Sequence, residues 1–140
     1  MIKILLVSEN KNYTERFNNI FHKNGYEFSV MTDETLICDI ISVDPPDTIV
    51  IDEKIPNVKN LSKKIKSLCE NTIIIFMISS DKIDKELIKY ANAFFIKEMP
   101  EDLILSTVNV NIRMKNSLDM LSNSNKDLAD SLYRLNALYS

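Results

Sequence analysis

Four short stretches of the chain carry an apolar run up to a residue that can do chemistry. "ILLVSEN" runs into Ser8, Glu9 and Asn10, "TIVID" stops on Asp52, "IFMISS" stops on Ser79 and Ser80, and "AFFIK" stops on Lys97. The two carboxylates, Glu9 and Asp52, can hold a hard cation such as Mg2+ and leave coordination positions for water and a phosphoryl group. A hydroxyl and an ammonium, Ser79 and Lys97, can bind the remaining phosphoryl oxygens. A carboxylate can also act as the nucleophile and carry the group as an aspartyl phosphate. Phosphoryl transfer needs little beyond such positioning and charge neutralisation. The set has this meaning only jointly, because a lone aspartate at a strand end is ordinarily a turn residue or a cap.

Positioning these groups requires elements that end at one edge. Short β-rich runs alternate with segments of helical period along the chain. "IKILLV" reads as a strand buried on both faces. From Asn10 to Asn24 the residues Tyr13, Phe17, Ile20 and Phe21 recur at helical spacing, and Gly25, the only glycine, sits where a helix C-terminus wants one. "YEFSVM" is a second strand, and Asp33 caps a helix over "ETLICDIISV". "TIVID" is the third strand, followed by a helix through "LSKKIKSLC", and "TIIIFMI" is a β-branched fourth. Asp81 is the expected cap of a short helix in "DKIDKELIKYA", "AFFI" is the fifth strand, and Pro100 and Glu101 open a helical segment that runs to Ser140. This βα alternation predicts a doubly wound five-stranded parallel sheet with right-handed crossovers. In such a sheet the crevice lies beyond the carboxyl ends of the strands, where the chemical residues fall.

Composition narrows the function classes. With 140 residues the chain makes one ordinary domain, and a net charge of −3 argues against a nucleic-acid surface. Lys63, Lys64 and Lys66 read as a solvated helix face. No apolar run approaches a membrane span, and "IKILLV" after Met1 is too short for a signal peptide. Cys38 and Cys69 lack metal spacing and read as small hydrophobes in a reducing cytoplasm. His22 is the only histidine, which excludes multi-histidine metal sites; its place in the last turn of the first helix suits a helix-end role.

The ordered set "ILLVSEN", "IVIDEKIP", "IFMISS" and "AFFIKE" resembles the receiver (CheY-like) domain of two-component response regulators, from Met1 to about Lys115. The resemblance implies a flavodoxin-like strand order, 2-1-3-4-5, and a signalling domain that is not an enzyme beyond assisting its own phosphorylation and dephosphorylation. It implies Asp52 as phosphoacceptor, and Glu9, Asp52 and the backbone carbonyl of Lys54 as ligands of a Mg2+ cofactor. Ser79 is then the hydroxyl that bonds the phosphoryl group, Lys97 its ion-pair partner, and Phe94 the aromatic switch that turns inward when Ser79 moves. The implied partners are a histidine kinase or phosphotransfer protein, and an output domain or partner protein on the face of helix four, strand five and helix five.

The chain departs from the family pattern in three places. Ser8 stands where most receivers carry a second acid, so weaker Mg2+ binding is expected. Glu98 stands where proline usually follows the lysine in a cis peptide; a cis bond before Glu98 costs about 3 kcal/mol, so a trans bond is expected. "NVKN" replaces the usual Asp-Gly pair after Pro56. Lys54 can reach over the pocket and stand in part for a cation, or remain solvated.

Residues 116–140 form a helical extension. Leu118, Leu121, Asn125, Leu128, Leu132, Leu135 and Tyr139 follow a three-four spacing, a coiled-coil seam with Asn125 at an a position. The expectation is a homodimer through this helix, against the alternative of an amphipathic helix folded back on the domain. Two readings of the whole follow: a receiver phosphorylated on Asp52, or a phosphorylation-independent pseudo-receiver acting as an interaction or dimerisation module. A small-molecule-binding flavodoxin-like protein is a third, disfavoured because the first turn lacks the Gly, Ser and Thr residues that cradle a phosphate.

Overall fold

The computed structural model describes residues 1–79, 83–96 and 98–118. The elements are β1 (Lys3–Val7), α1 (Lys11–Lys23), β2 (Glu27–Met31), α2 (Glu34–Val43), β3 (Thr48–Asp52), α3 (Val58–Leu68), β4 (Ile73–Ile78), α4 (Lys85–Ile88) and β5 (Ala93–Ile96). A further helix, α5, spans 101–118 of the described residues. The five strands form one sheet in the order β2-β1-β3-β4-β5, with every pairing parallel. This is the doubly wound, flavodoxin-like order.

The period of two along each strand divides the core between the two faces. Leu5, Val7, Ile49, Ile51, Ile74 and Phe76 face one side, where Ile37 and Ile41 of α2 and Leu61 and Ile65 of α3 cover them. Ile4, Leu6, Val50, Ile73, Ile75 and Met77 face the other, beneath Phe17, Ile20 and Phe21 of α1 and Ile104 and Val108 of α5. β3 and β4 are buried along their whole length, whereas the edge strand β2 alternates between exposed and half-buried positions. Continuous apolar strands are therefore the central ones, as expected where helices cover both faces.

Local signals set the helix ends. Asn10 caps α1 by accepting from the amides of Asn12 and Tyr13. At the other end Gly25 takes φ +80, its amide bonds the His22 carbonyl, and the Tyr26 amide bonds the Phe21 carbonyl. That is a Schellman motif, completed by the edge-on contact of Phe21 and Tyr26 at 5.5 Å. His22 does lie in the last turn of α1. Asp33 caps α2 as expected.

The fourth helix differs from expectation. It is four residues long and capped by Asp84, whose carboxylate accepts from the Glu86 amide; Asp81 lies outside the described residues. Lys59 pairs with both Asp84 and Glu86, so the chain at α4 is tied electrostatically to α3. Cys69 is buried, as read from sequence, but Cys38 is only half-buried. Lys66 also leaves the solvated face: partial burial lowers its ammonium below the ordinary value.

Candidate functional site

The sheet register brings the ends of β1 and β3 side by side. Val7 pairs with Ile51, so Ser8 and Asp52 follow as neighbours beyond the last ladder position. Both are buried, at 2% and 6% exposure. Ser8 Oγ donates to Asp52 Oδ2 at 2.9 Å and accepts from the Asn10 amide at 3.1 Å. The Lys54 amide donates to Asp52 Oδ1 at 3.1 Å. Each carboxylate oxygen of Asp52 thus holds one donor, which fixes its orientation in the pocket floor. Ser8, in the place of an acid, serves here as a hydrogen-bond donor.

The other expected residues distribute around this floor. Glu9 is exposed at the rim of the turn after β1, and the Lys54 side chain is exposed. Phe94 is half-buried in β5, its ring 6.2 Å from that of Phe76. Ser79 stands at the end of β4, and its partner is Glu53: the Ser79 amide and hydroxyl donate to Glu53 Oε1 at 2.9 and 3.0 Å. Lys97 lies outside the described residues.

Two residues at the site have no place in the sequence reading. Glu53 is half-buried and bridges β3 to β4. Its adjacency to Asp52 was visible, but its reach to Ser79 depends on a register that pairs Asp52 with Met77. Tyr13, in the first turn of α1, reads from sequence only as an apolar helix position. Burial raises its phenol above the ordinary tyrosine value, and the charges of Asp52, Glu53 and Glu98 raise it further. Tyr13 therefore senses the negative charge of these carboxylates.

The connection after β5 takes a path that a proline at position 98 could not follow. Glu98 has φ +70, in the left-handed region, whereas a proline ring holds φ near −65°. The Met99 amide bonds the Ile96 carbonyl, and the Arg16 guanidinium donates to the Met99 carbonyl. No cis peptide occurs among the described residues; the expected trans bond before Glu98 also involves Lys97.

A metal fit can be judged from the donors. Glu9, Asp52 and the Lys54 carbonyl are hard oxygen ligands of the kind Mg2+ prefers. Among the described residues, however, no three of His, Cys, Asp and Glu are grouped to hold a metal ion. Asp52 alone of the set is both buried and oriented. The donors suit a hydrated Mg2+ held by few protein ligands, which is its usual habit.

Comparison with known proteins agrees with this geometry. No protein-family model matches the chain. It is 29% identical over 84 residues to sporulation initiation phosphotransferase F of Bacillus subtilis, covering 59% of this chain and 68% of that protein. Among solved structures it resembles the receiver domain of a Francisella response regulator, with TM-score 0.69 and 22% identity over 81% of this chain and 98% of that one. It also resembles the receiver domain of a sensor histidine kinase from Pseudomonas aeruginosa, solved with magnesium in its active-site cleft. That likeness has TM-score 0.71 and 17% identity, over 79% of this chain and 97% of that one. The fold is that of the CheY-like receiver domains. In fold and in sequence the chain is similar to the receivers of two-component signal transduction.

Proposed function

We propose that Asp52 accepts a phosphoryl group from a phosphohistidine on a histidine kinase or phosphotransfer protein. The observation that carries this reading is the Asp52 carboxylate itself, buried at the end of β3 and oriented by Ser8 Oγ and the Lys54 amide. An Asp52 oxygen forms a bond to phosphorus while the donor's phosphorus–nitrogen bond breaks, and the electron pair leaves with the imidazole. A Mg2+ held by Glu9, Asp52 and the Lys54 carbonyl would neutralise charge on the phosphoryl oxygens. The Lys54 and Ser8 donors hold Asp52 in place, and burial keeps bulk water from the acyl phosphate. Ser79 and Lys97 bind phosphoryl oxygens. Phe94 transmits the change to the face of α4, β5 and α5, where an output domain or partner protein docks. The extension over residues 116–140 joins two copies.

Incubation with acetyl phosphate and Mg2+, followed by intact mass, tests the assignment. One phosphate adduct is expected on the wild-type chain and none on Asp52→Asn. An adduct on both, or on neither, removes Asp52 as the acceptor.

A further inference from the structure

The residue after Asp52 is engaged with the group assigned to the phosphoryl oxygen. Glu53 Oε1 accepts from the Ser79 amide at 2.9 Å and from its hydroxyl at 3.0 Å. A serine hydroxyl has one hydrogen to donate. While Glu53 holds it, that hydrogen does not reach a phosphoryl oxygen on Asp52. The backbone on both sides is fixed independently of this contact. The Glu53 amide bonds the Met77 carbonyl at 3.1 Å, and the Asp52–Met77 pair closes the ladder. Rotation of the Glu53 side chain is therefore enough to free Ser79, with both strands left in register.

We propose that Glu53 is a positioning residue whose carboxylate clasps Ser79 in the unphosphorylated protein and releases it when Asp52 is phosphorylated. This rests on the reading of Asp52 as phosphoacceptor. The phosphoryl group itself supplies the drive for release. It places added negative charge on the residue next to Glu53, at a site where Asp52, Glu53 and Glu98 already act together on Tyr13. Like charges at this spacing repel, and the phosphoryl oxygens offer Ser79 a more strongly charged acceptor. A ligand shifts a two-state equilibrium only by its differential interaction with the two states, and here the repelled carboxylate and the recaptured hydroxyl provide that difference. The clasp consequently opposes phosphorylation in the resting protein and sets how readily the switch is thrown.

The test uses the full chain and begins without a phosphodonor. In the nitrogen-proton spectrum, the Ser79 amide proton should lie downfield because it donates to a carboxylate. Glu53→Gln and Glu53→Ala should both move it upfield. With acetyl phosphate and Mg2+, Glu53→Ala should become phosphorylated about three- to tenfold faster than wild type, the worth of one ordinary net hydrogen bond. Glu53→Gln, which keeps an acceptor oxygen without the charge, should fall between. In a Ser79→Ala background, Glu53→Ala should bring no comparable gain. An unmoved Ser79 amide overturns the clasp. Slower phosphorylation of Glu53→Ala with weaker Mg2+ binding also overturns it and makes Glu53 a metal ligand. If the amide moves but the wild-type chain takes no phosphate, the phosphoacceptor reading fails and the Glu53–Ser79 contact is a static tether.

Discussion

Tyr13 is a reporter of pocket charge, because three carboxylates act on one phenol that is itself partly desolvated. Its titration lies above the ordinary tyrosine value of about 10, first through burial and then through Asp52, Glu53 and Glu98. The native state therefore keeps this proton at a pH where the unfolded chain has lost it. The stability linked to Tyr13 is fully present below the ordinary value and is lost as pH rises through the raised, folded one. Asp52→Asn removes one of the charges that hold the phenol up, so the Tyr13 midpoint should fall. Phosphorylation adds charge and should raise it. The chain has five tyrosines, so the measurement is ring-labelled carbon NMR over an alkaline titration, with Tyr13→Phe assigning the signal. A midpoint indifferent to Asp52→Asn would place Tyr13 away from the pocket.

At the scale of elements, the connection from β5 to α5 departs from what the family pattern implies. A proline at position 98 would demand φ near −65°, and the chain there has φ +70. Glu98→Pro, which restores the family's residue, should therefore destabilise the fold by more than about 1 kcal/mol, because the native conformation does not accommodate the ring. Urea unfolding followed by circular dichroism checks this; equal or greater stability would show that the loop readily adopts the proline path. This loop also marks where sequence stops being informative. The central strands were legible because each is a continuous apolar run, and the cap Asp33 was legible because its chemistry is local. Asp52 and Ser8 could be placed because they end neighbouring strands. Glu53 could not, since its contact with Ser79 joins residues 26 apart through a register that no local pattern encodes. The cap of α4 was misread because "DKIDKEL" offers two aspartates with similar local credentials, and Asp84 fills the role next to the Lys59 pairing from α3.

For the whole molecule, the question is what covers the outer side of α5. The helix lays Ile104 and Val108 on the sheet and leaves Val110, Met114 and Leu118 exposed, Leu118 at 64%. Beyond it, Leu121, Asn125, Leu128, Leu132, Leu135 and Tyr139 lie outside the described residues. Apolar residues at three-four spacing form a stripe that a single helix cannot bury. A second copy brings an identical stripe, and the one asparagine at an a position selects a parallel two-stranded register. Light scattering of the full chain should therefore give the mass of a dimer, and a version ending at Lys115 should give that of a monomer. Leu128→Lys in the full chain should also yield a monomer, because it sets a charge into the seam, while the acetyl phosphate reaction at Asp52 should persist. The wild-type melting temperature should rise with protein concentration and that of Leu128→Lys should not, since association stabilises only the folded dimer. If the full chain and the shortened version are both monomers, residues 116–140 do not join two copies, and signal leaves the domain through the α4–β5–α5 face alone.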